Sequence, residues 1–416
     1  MDGLAPPRVR PALVSAAVSL AGVSACLVFL ITYPLPPVEN DAVEYLALAR
    51  NVAAGTGFTQ DGVTPAVYRP PLFATLLGGW FVLTGTSSPF SAGVFQSILH
   101  GLASGTAFFL FLELCGSVAW AAGAAVWVAV NPLLVTRVAF VLQEPTLLLF
   151  TTAAVLASVR LIRAPSSGRA ALAGAAWGLC TLGKAVSWLG PPVLLAMRLL
   201  PGPLRWRWRG REAVVLLACF AAVVAPWTAR NWVRFHMFIP VNGQGAGMLE
   251  WNVQQAVVPG EPPGAEVVAK IERRYPSERE RNAALWDYIR RHPRYFLVDR
   301  TVRNIVHFAS PARDWWIARG HVRPGEHRTS FWILAALFHI PFYLLLLVRT
   351  ARWVGGGAAP PAGFAILFYW AYWAEHAVVW GDPRFGLAVY PVLVASLLPG
   401  IRTAPRVSGG GGRAPA

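Results

Sequence analysis

The chain has 416 residues, 55% of them hydrophobic and only 13% charged, with a mean hydropathy of +0.48. Soluble domains carry about 25% charged residues, so an ordinary water-soluble globule is excluded. The net charge of +16 does not mark a nucleic-acid binder, because the arginines flank apolar blocks rather than gather into a polyanion groove.

The apolar blocks approach the ~20 residues that cross a bilayer as a helix, which predicts an all-α polytopic membrane protein. The first block, 12–32, follows Arg8 and Arg10 and lacks a small-residue cleavage site, so it reads as a retained anchor. Beyond it, Asp41 opens an amphipathic pattern in which Tyr45, Leu48, Ala49 and Val52 share one helical face, and Gly55 and Gly57 end the run. Asp41 with Glu44 also has capping-box spacing, and from spacing alone the cap is the favoured role. A functional role is compatible with it, since a carboxylate has two oxygens. Acid is scarce hereafter: between Gly62 and Arg211 only Glu113 and Glu144 are acidic, and a carboxylate at the mouth of a helix bundle is costly unless paired or used.

Arg69 follows Tyr68 and precedes Pro70-Pro71. Its rigidly placed guanidinium suits phosphate oxygens, or equally lipid headgroups. The apolar stretch 72–86 is short, and placing it at the membrane interface keeps the arginine-rich connections on one side. Expected spans continue at 91–112, 118–136 and 145–162. Glu144, at the mouth of the last of these, is a helix-start acid or an ion-pair partner of Arg137. The span 170–184 ends on Lys184, which either snorkels or presents a point charge to a phosphate. Spans 186–200 and 213–228 follow, the latter closing on Pro226-Trp227 with Arg230 available for headgroups. Segment 229–329 is too long for a simple connection and reads as a partly helical cap. Spans 330–348, 361–379 and 384–400 complete the bundle, with Glu375, His376, Asp382 and Arg384 around the last turn. A lone histidine such as His376 is more often structural than a ligand. The Gly-rich tail reads as disordered.

The division expected is therefore an N-terminal transmembrane module, 1–228, with a first outer loop at 33–90 that carries Asp41 and Arg69. An extracytoplasmic cap, 229–329, and C-terminal membrane helices, 330–400, come next, and 401–416 form a cytoplasmic tail. The positive-inside rule gives about ten spans with both ends cytoplasmic. That topology puts Asp41, Arg69, Glu144, Lys184, Arg230 and Arg384 on one outer face. Cys26, Cys115, Cys180 and Cys219 have no CxxC spacing and read as small core residues. No HExxH, P-loop or Gly-rich nucleotide loop occurs, so a nucleotide-sugar donor is not supported, and the sequence assigns no metal ligands and no cofactor.

Five segments in order resemble the lipid-linked-sugar glycosyltransferases of the GT-C fold, the group that holds protein O-mannosyltransferases and the lipid A aminoarabinose transferase. They are Asp41 through Val52 with Gly55 and Gly57; Arg69-Pro70-Pro71-Leu72; Leu182-Gly183-Lys184; Pro226-Trp227 with Arg230-Asn231 and Asn242-Gly243; and Arg384-Phe385 with Pro391. Many members carry a second acid directly after the aspartate, where this chain has Ala42. The resemblance implies a GT-C bundle with outer-face juxtamembrane helices, lying in the bacterial inner (plasma) membrane with an extracytoplasmic active site. It implies an inverting transfer from a polyprenyl-phosphate-linked sugar donor to a glycan, lipid or protein acceptor, with membrane lipids around it and no nucleic acid. Asp41 would be the general base, with Lys184, Arg69 and Arg384 on the donor phosphate. Glu44, Tyr68, Glu144, Arg230 and His376 would support them. A transporter or lipid flippase is the alternative, though no repeated halves of the kind common in transporters are visible.

Overall fold

A computed structural model describes residues 10–200, 210–309, 337, 340–355, 359–379, 381 and 383–398. The tail 401–416, Asp382 and most of 310–339 lie outside the described residues. Among the described residues the regular structure is helical, apart from one isolated antiparallel bridge between Thr59 and Pro65.

Among the described residues four helices are long and apolar enough to cross a membrane, and a bent pair makes up to five. The first, α1 (Pro11–Thr32), starts with proline where a missing N–H costs nothing and stops just before Pro34. Helix α2 (Asp41–Ala53) and α3 (Pro71–Thr84) belong to the loop that follows. The 14 residues of α3 span about 21 Å, short of a bilayer core. It packs instead on α2, where Phe73, Ala74 and Leu77 meet Tyr45, Leu48 and Ala49 in a separate small core. Helix α4 (Pro89–Cys115) is capped by Ser88 and ended by Gly116 at φ 68°. Helix α5 (Val118–Val130) meets the segment Pro132–Ala139 at a 45° bend, because Pro132 cannot donate to the continuing helix.

Of two later helices, α6 (Glu144–Arg163) lies inside the bundle and α7 (Ser167–Gly183) buries one face, whereas α8 (Gly210–Phe235) is mostly exposed at the edge. Close approach between α7 and α8 is set by Gly174 and Gly178. A Cβ at Gly174 would run into the Leu216 carbonyl, and one at Gly178 would crowd Val223 and the Phe220 carbonyl. This is small-residue packing of the kind membrane helices use. Gly101 and Gly105 of α4 do the same against Ser19, Val23 and Ser15 of α1.

The expected span 186–200 differs from the structure. It begins as a 3₁₀ turn, Ala185–Leu189, and continues as a short helix, Gly190–Ala196. Pro191 and Pro192 remove successive backbone donors there. The expected 384–400 span is likewise broken, into α9 (Pro383–Ala388) and α10 (Tyr390–Leu397), with Pro391 in the first turn of the second piece. Helices α11 (Ile340–Val354) and α12 (Pro360–Val378) stand beside them. Within 229–329, helices Gln244–Gln254, Gly264–Arg274 and Glu278–Arg291 share a core of their own around Val253, Val268, Leu285, Tyr288 and Phe296.

Candidate active site

Asp41 is the first residue of α2, and the residue before it, Asn40, has φ 50° and makes no side-chain cap. The capping role favoured by spacing is therefore not the one observed. The reason is a competing cation. Three residues apart on a helix, Asp41 and Glu44 project on the same side, and one guanidinium reaches both. Arg69 donates through Nη2 to Asp41 Oδ1 at 2.8 Å and through Nε to Glu44 Oε2 at 2.6 Å. Gln60 adds a bond to the same Glu44 oxygen at 3.3 Å.

Arg69 is buried and its guanidinium lies against two aromatic rings, Tyr68 at 5.0 Å and Tyr45 at 5.5 Å. Pro70 and Pro71 behind it begin α3, so the arginine hangs from a backbone with little freedom. The Tyr45 hydroxyl donates to Gln143 Oε1 at 2.8 Å, which ties α2 to the start of α6.

The second oxygen of Asp41 is taken from across the chain. Arg384, in the first turn of α9, places Nη1 3.0 Å from Asp41 Oδ2 and Nε 3.9 Å from Glu144 Oε1. Glu144 opens α6 and is only 4% exposed. Its Oε2 has no hydrogen-bond partner among the described residues. Glu144 is thus the helix-start acid of the expectation, and the cation at ion-pair distance from it is Arg384. Glu144 and Arg137 also line a common small cavity with His100 and Leu387.

Burial pushes the Asp41 carboxyl upward, but Arg384 and Arg69 outweigh it and hold the group below the usual carboxylate range. For Arg69, burial acts to lower its pKa, and the Glu44 hydrogen bond with the Asp41 charge raises it further than burial takes away. Both groups are therefore firmly charged at neutral pH.

Lys184 closes α7 as its C-terminal cap residue, where the helix dipole favours a cation. Its Nζ lies 3.1 Å from His376 Nε2 and 3.1 Å from the centre of the Phe385 ring. Phe385 is the neighbour of Arg384, so α9 joins the lysine to the Asp41 cluster.

Arg230 is placed differently from expectation. It donates to the Ala66 carbonyl at 2.8 Å, contacts the Phe58 carbonyl at 3.4 Å, and stacks on Trp227 at 4.6 Å. Asn231 and Trp227 bond the carbonyls of Ile239 and Val241, while Asn242 and Gly243 bond those of Tyr68 and Val67. The Pro-Trp segment and the loop after it therefore brace residues 58–69 from behind, and so hold Arg69. Gln143, Gln60 and Tyr45 belong to the site and carry no sequence signal beyond Tyr45's place on the apolar face. Among the described residues no group of His, Cys, Asp and Glu has the arrangement of a metal site.

No protein-family model and no curated protein matches the chain. Solved structures of the archaeal oligosaccharyltransferase AglB from Archaeoglobus fulgidus are similar to it in fold. One, in complex with an inhibitory peptide and a dolichol-phosphate, superposes with a TM-score of 0.55 at 15% identity, over 92% of this chain and 50% of that one. Another, tethered through a disulfide bond to an acceptor peptide containing the NVT sequon, has a TM-score of 0.55 at 15% identity, covering 92% of this chain and 49% of its own. The chain thus spans about half the length of these structures. It is a multi-pass membrane protein whose helices adopt the GT-C fold of the AglB oligosaccharyltransferases.

Proposed function

We propose that this protein is an inverting membrane glycosyltransferase that moves a sugar from a polyprenyl-phosphate donor to an acceptor hydroxyl, with Asp41 as general base. The observation that carries this reading is the meeting of one carboxylate with two arginines drawn from distant parts of the chain, Arg69 and Arg384. Lys184 stands next to the same helix turn. A phosphate leaving group needs fixed cations where its charge develops, and an attacking hydroxyl needs a nearby base.

A carboxylate clamped on both oxygens and depressed in pKa is a weak base. The donor itself relieves this. Its anionic phosphate competes for the same guanidiniums, and each one that turns toward phosphate frees an Asp41 oxygen and lets its pKa climb toward the usual range. The acceptor oxygen then attacks the anomeric carbon as its proton passes to Asp41. The bond from that carbon to the phosphate oxygen breaks, and polyprenyl phosphate leaves with the electron pair, balanced by Lys184, Arg69 and Arg384. Glu144 keeps Arg384 near as it shifts, Glu44 does the same for Arg69, and Tyr68 and Arg230 hold the loop.

The dolichol-phosphate and acceptor peptide seen with AglB support a lipid-phosphate donor here. The acceptor is a glycan, lipid or protein hydroxyl. About ten spans with both ends cytoplasmic follow from the charge pattern and put the site on the extracytoplasmic face of a bacterial inner membrane. The test is the purified protein in lipid nanodiscs, given a panel of labelled polyprenyl-phosphate sugars and crude envelope acceptors. Transfer of label with release of polyprenyl phosphate is expected. Substrate movement across proteoliposomes, with no glycosidic bond made from any donor, would assign the site to transport instead.

A further inference from the structure

We propose that His376 is a positioning residue for Lys184, held as a neutral imidazole with its proton on Nδ1. This rests on the reading of Lys184 as a ligand of the donor phosphate. The imidazole is buried in the last turn of α12. Its Nδ1 lies 2.8 Å from the Tyr372 carbonyl and 3.0 Å from Glu375 Oε2. Both neighbours can only accept, so Nδ1 carries the hydrogen. The other ring nitrogen, Nε2, faces Lys184 Nζ at 3.1 Å. An ammonium only donates, so Nε2 must be the acceptor; an imidazolium would set N–H against N–H.

The ring cannot easily turn away from this duty. Tyr372 packs on it at 4.4 Å, Phe385 at 4.9 Å and Phe308 at 5.4 Å. A lysine is otherwise a point charge on a flexible four-carbon stem. Here the imidazole fixes one ammonium hydrogen, and the Phe385 face, 3.1 Å from Nζ, attracts the cation without cancelling its charge. The histidine and the aromatic face thus locate the Lys184 ammonium from two sides. A cation held in this way suits an anion that must come and go.

Binding of polyprenyl phosphate without sugar, to the full-length protein in nanodiscs, reads this directly, alongside KM and kcat for transfer. His376→Phe keeps a ring but loses the acceptor, and about tenfold weaker binding is expected, with KM raised more than kcat is lowered. His376→Gln, whose amide oxygen reaches toward Nζ, should recover most of the loss, and His376→Asn, too short to reach, should not. In a Lys184→Ala background, His376→Phe should add nothing. Equal binding by the Gln and Asn variants, or a His376→Phe effect that adds in full to that of Lys184→Ala, would overturn the positioning role; the Gln and Asn pair decides it should His376→Phe not fold. Normal binding by Lys184→Ala alone would instead remove Lys184 from the phosphate site.

Discussion

At the scale of single residues, one guanidinium on Arg69 serves two carboxylates, and Asp41 is shared between Arg69 and Arg384. The depressed Asp41 carboxyl makes a signed prediction. Its folded pKa lies below its unfolded value, so its contribution to stability is complete above the ordinary value of 3.8 and is lost as pH falls through the folded value beneath it. The stability advantage of the wild type over Asp41→Asn should therefore be flat from neutral pH down to that range and shrink only below it, as read by thermal unfolding in detergent across pH. An advantage that fades already between pH values of about 6 and 7 would mean that the arginines do not hold the carboxylate. Motif order singled out Asp41, Arg69, Lys184, Arg230 and Arg384, while Glu144 and His376 entered only from their places at the ends of spans, and the capping box misread Asp41. A rule based on three-residue spacing cannot see Arg384, which approaches from the far end of the chain. Nor could spacing show that Arg230 serves carbonyls rather than headgroups, because its partners Ala66 and Phe58 belong to a loop with no periodic pattern.

At the scale of elements, the bundle depends on glycines where helices touch. Gly174→Val would force α7 away from the Leu216 backbone, which cannot yield as a side chain tip can. The expected cost is about 3 kcal/mol, at the upper end for overpacking, visible as a lowered unfolding temperature and reduced yield of monodisperse protein. Gly123 in α5 has open space around its would-be Cβ, so Gly123→Ala should instead gain about 0.5–1 kcal/mol from helix propensity. Loss of stability in both, or in neither, would contradict this packing. The helix α2 was legible from its apolar period and its terminating glycines, now seen at φ 78° and 93° for Gly55 and Gly57. The breaks inside 186–200 and 384–400 were not, because hydropathy averages over a window and passes across Pro191, Pro192 and Pro391. The small-residue spacing of Gly101–Gly105 and Gly174–Gly178 was present in the sequence as a packing signal, but it names no partner helix.

At the scale of the whole molecule, the helical membrane fold followed from composition, whereas the meeting of α2, α6 and α9 required three-dimensional closure across most of the chain. The proposed topology puts the first loop and the 264–291 helices on one side of the membrane and the α6–α7 turn on the other. Single cysteines replacing Thr56, Arg279 and Pro165, all exposed positions, test this in intact cells with an impermeant thiol reagent. Labelling of the first two and protection of the third is expected; labelling of Pro165→Cys with protection of Thr56→Cys would invert the protein and move the site to the cytoplasm.

The central claim is that the Asp41 carboxylate, gathered with Arg69 and Arg384, takes the acceptor proton during transfer from a lipid-phosphate sugar. The most direct measurement compares wild type and Asp41→Asn in one sample format, reading donor binding and single-turnover transfer together. The amide keeps the shape and one acceptor oxygen but not the basicity, so donor binding within a few-fold of wild type is predicted, with transfer slowed by at least about 10²-fold. Transfer near the wild-type rate by folded Asp41→Asn protein would contradict the account and leave the carboxylate as an ion-pair anchor alone.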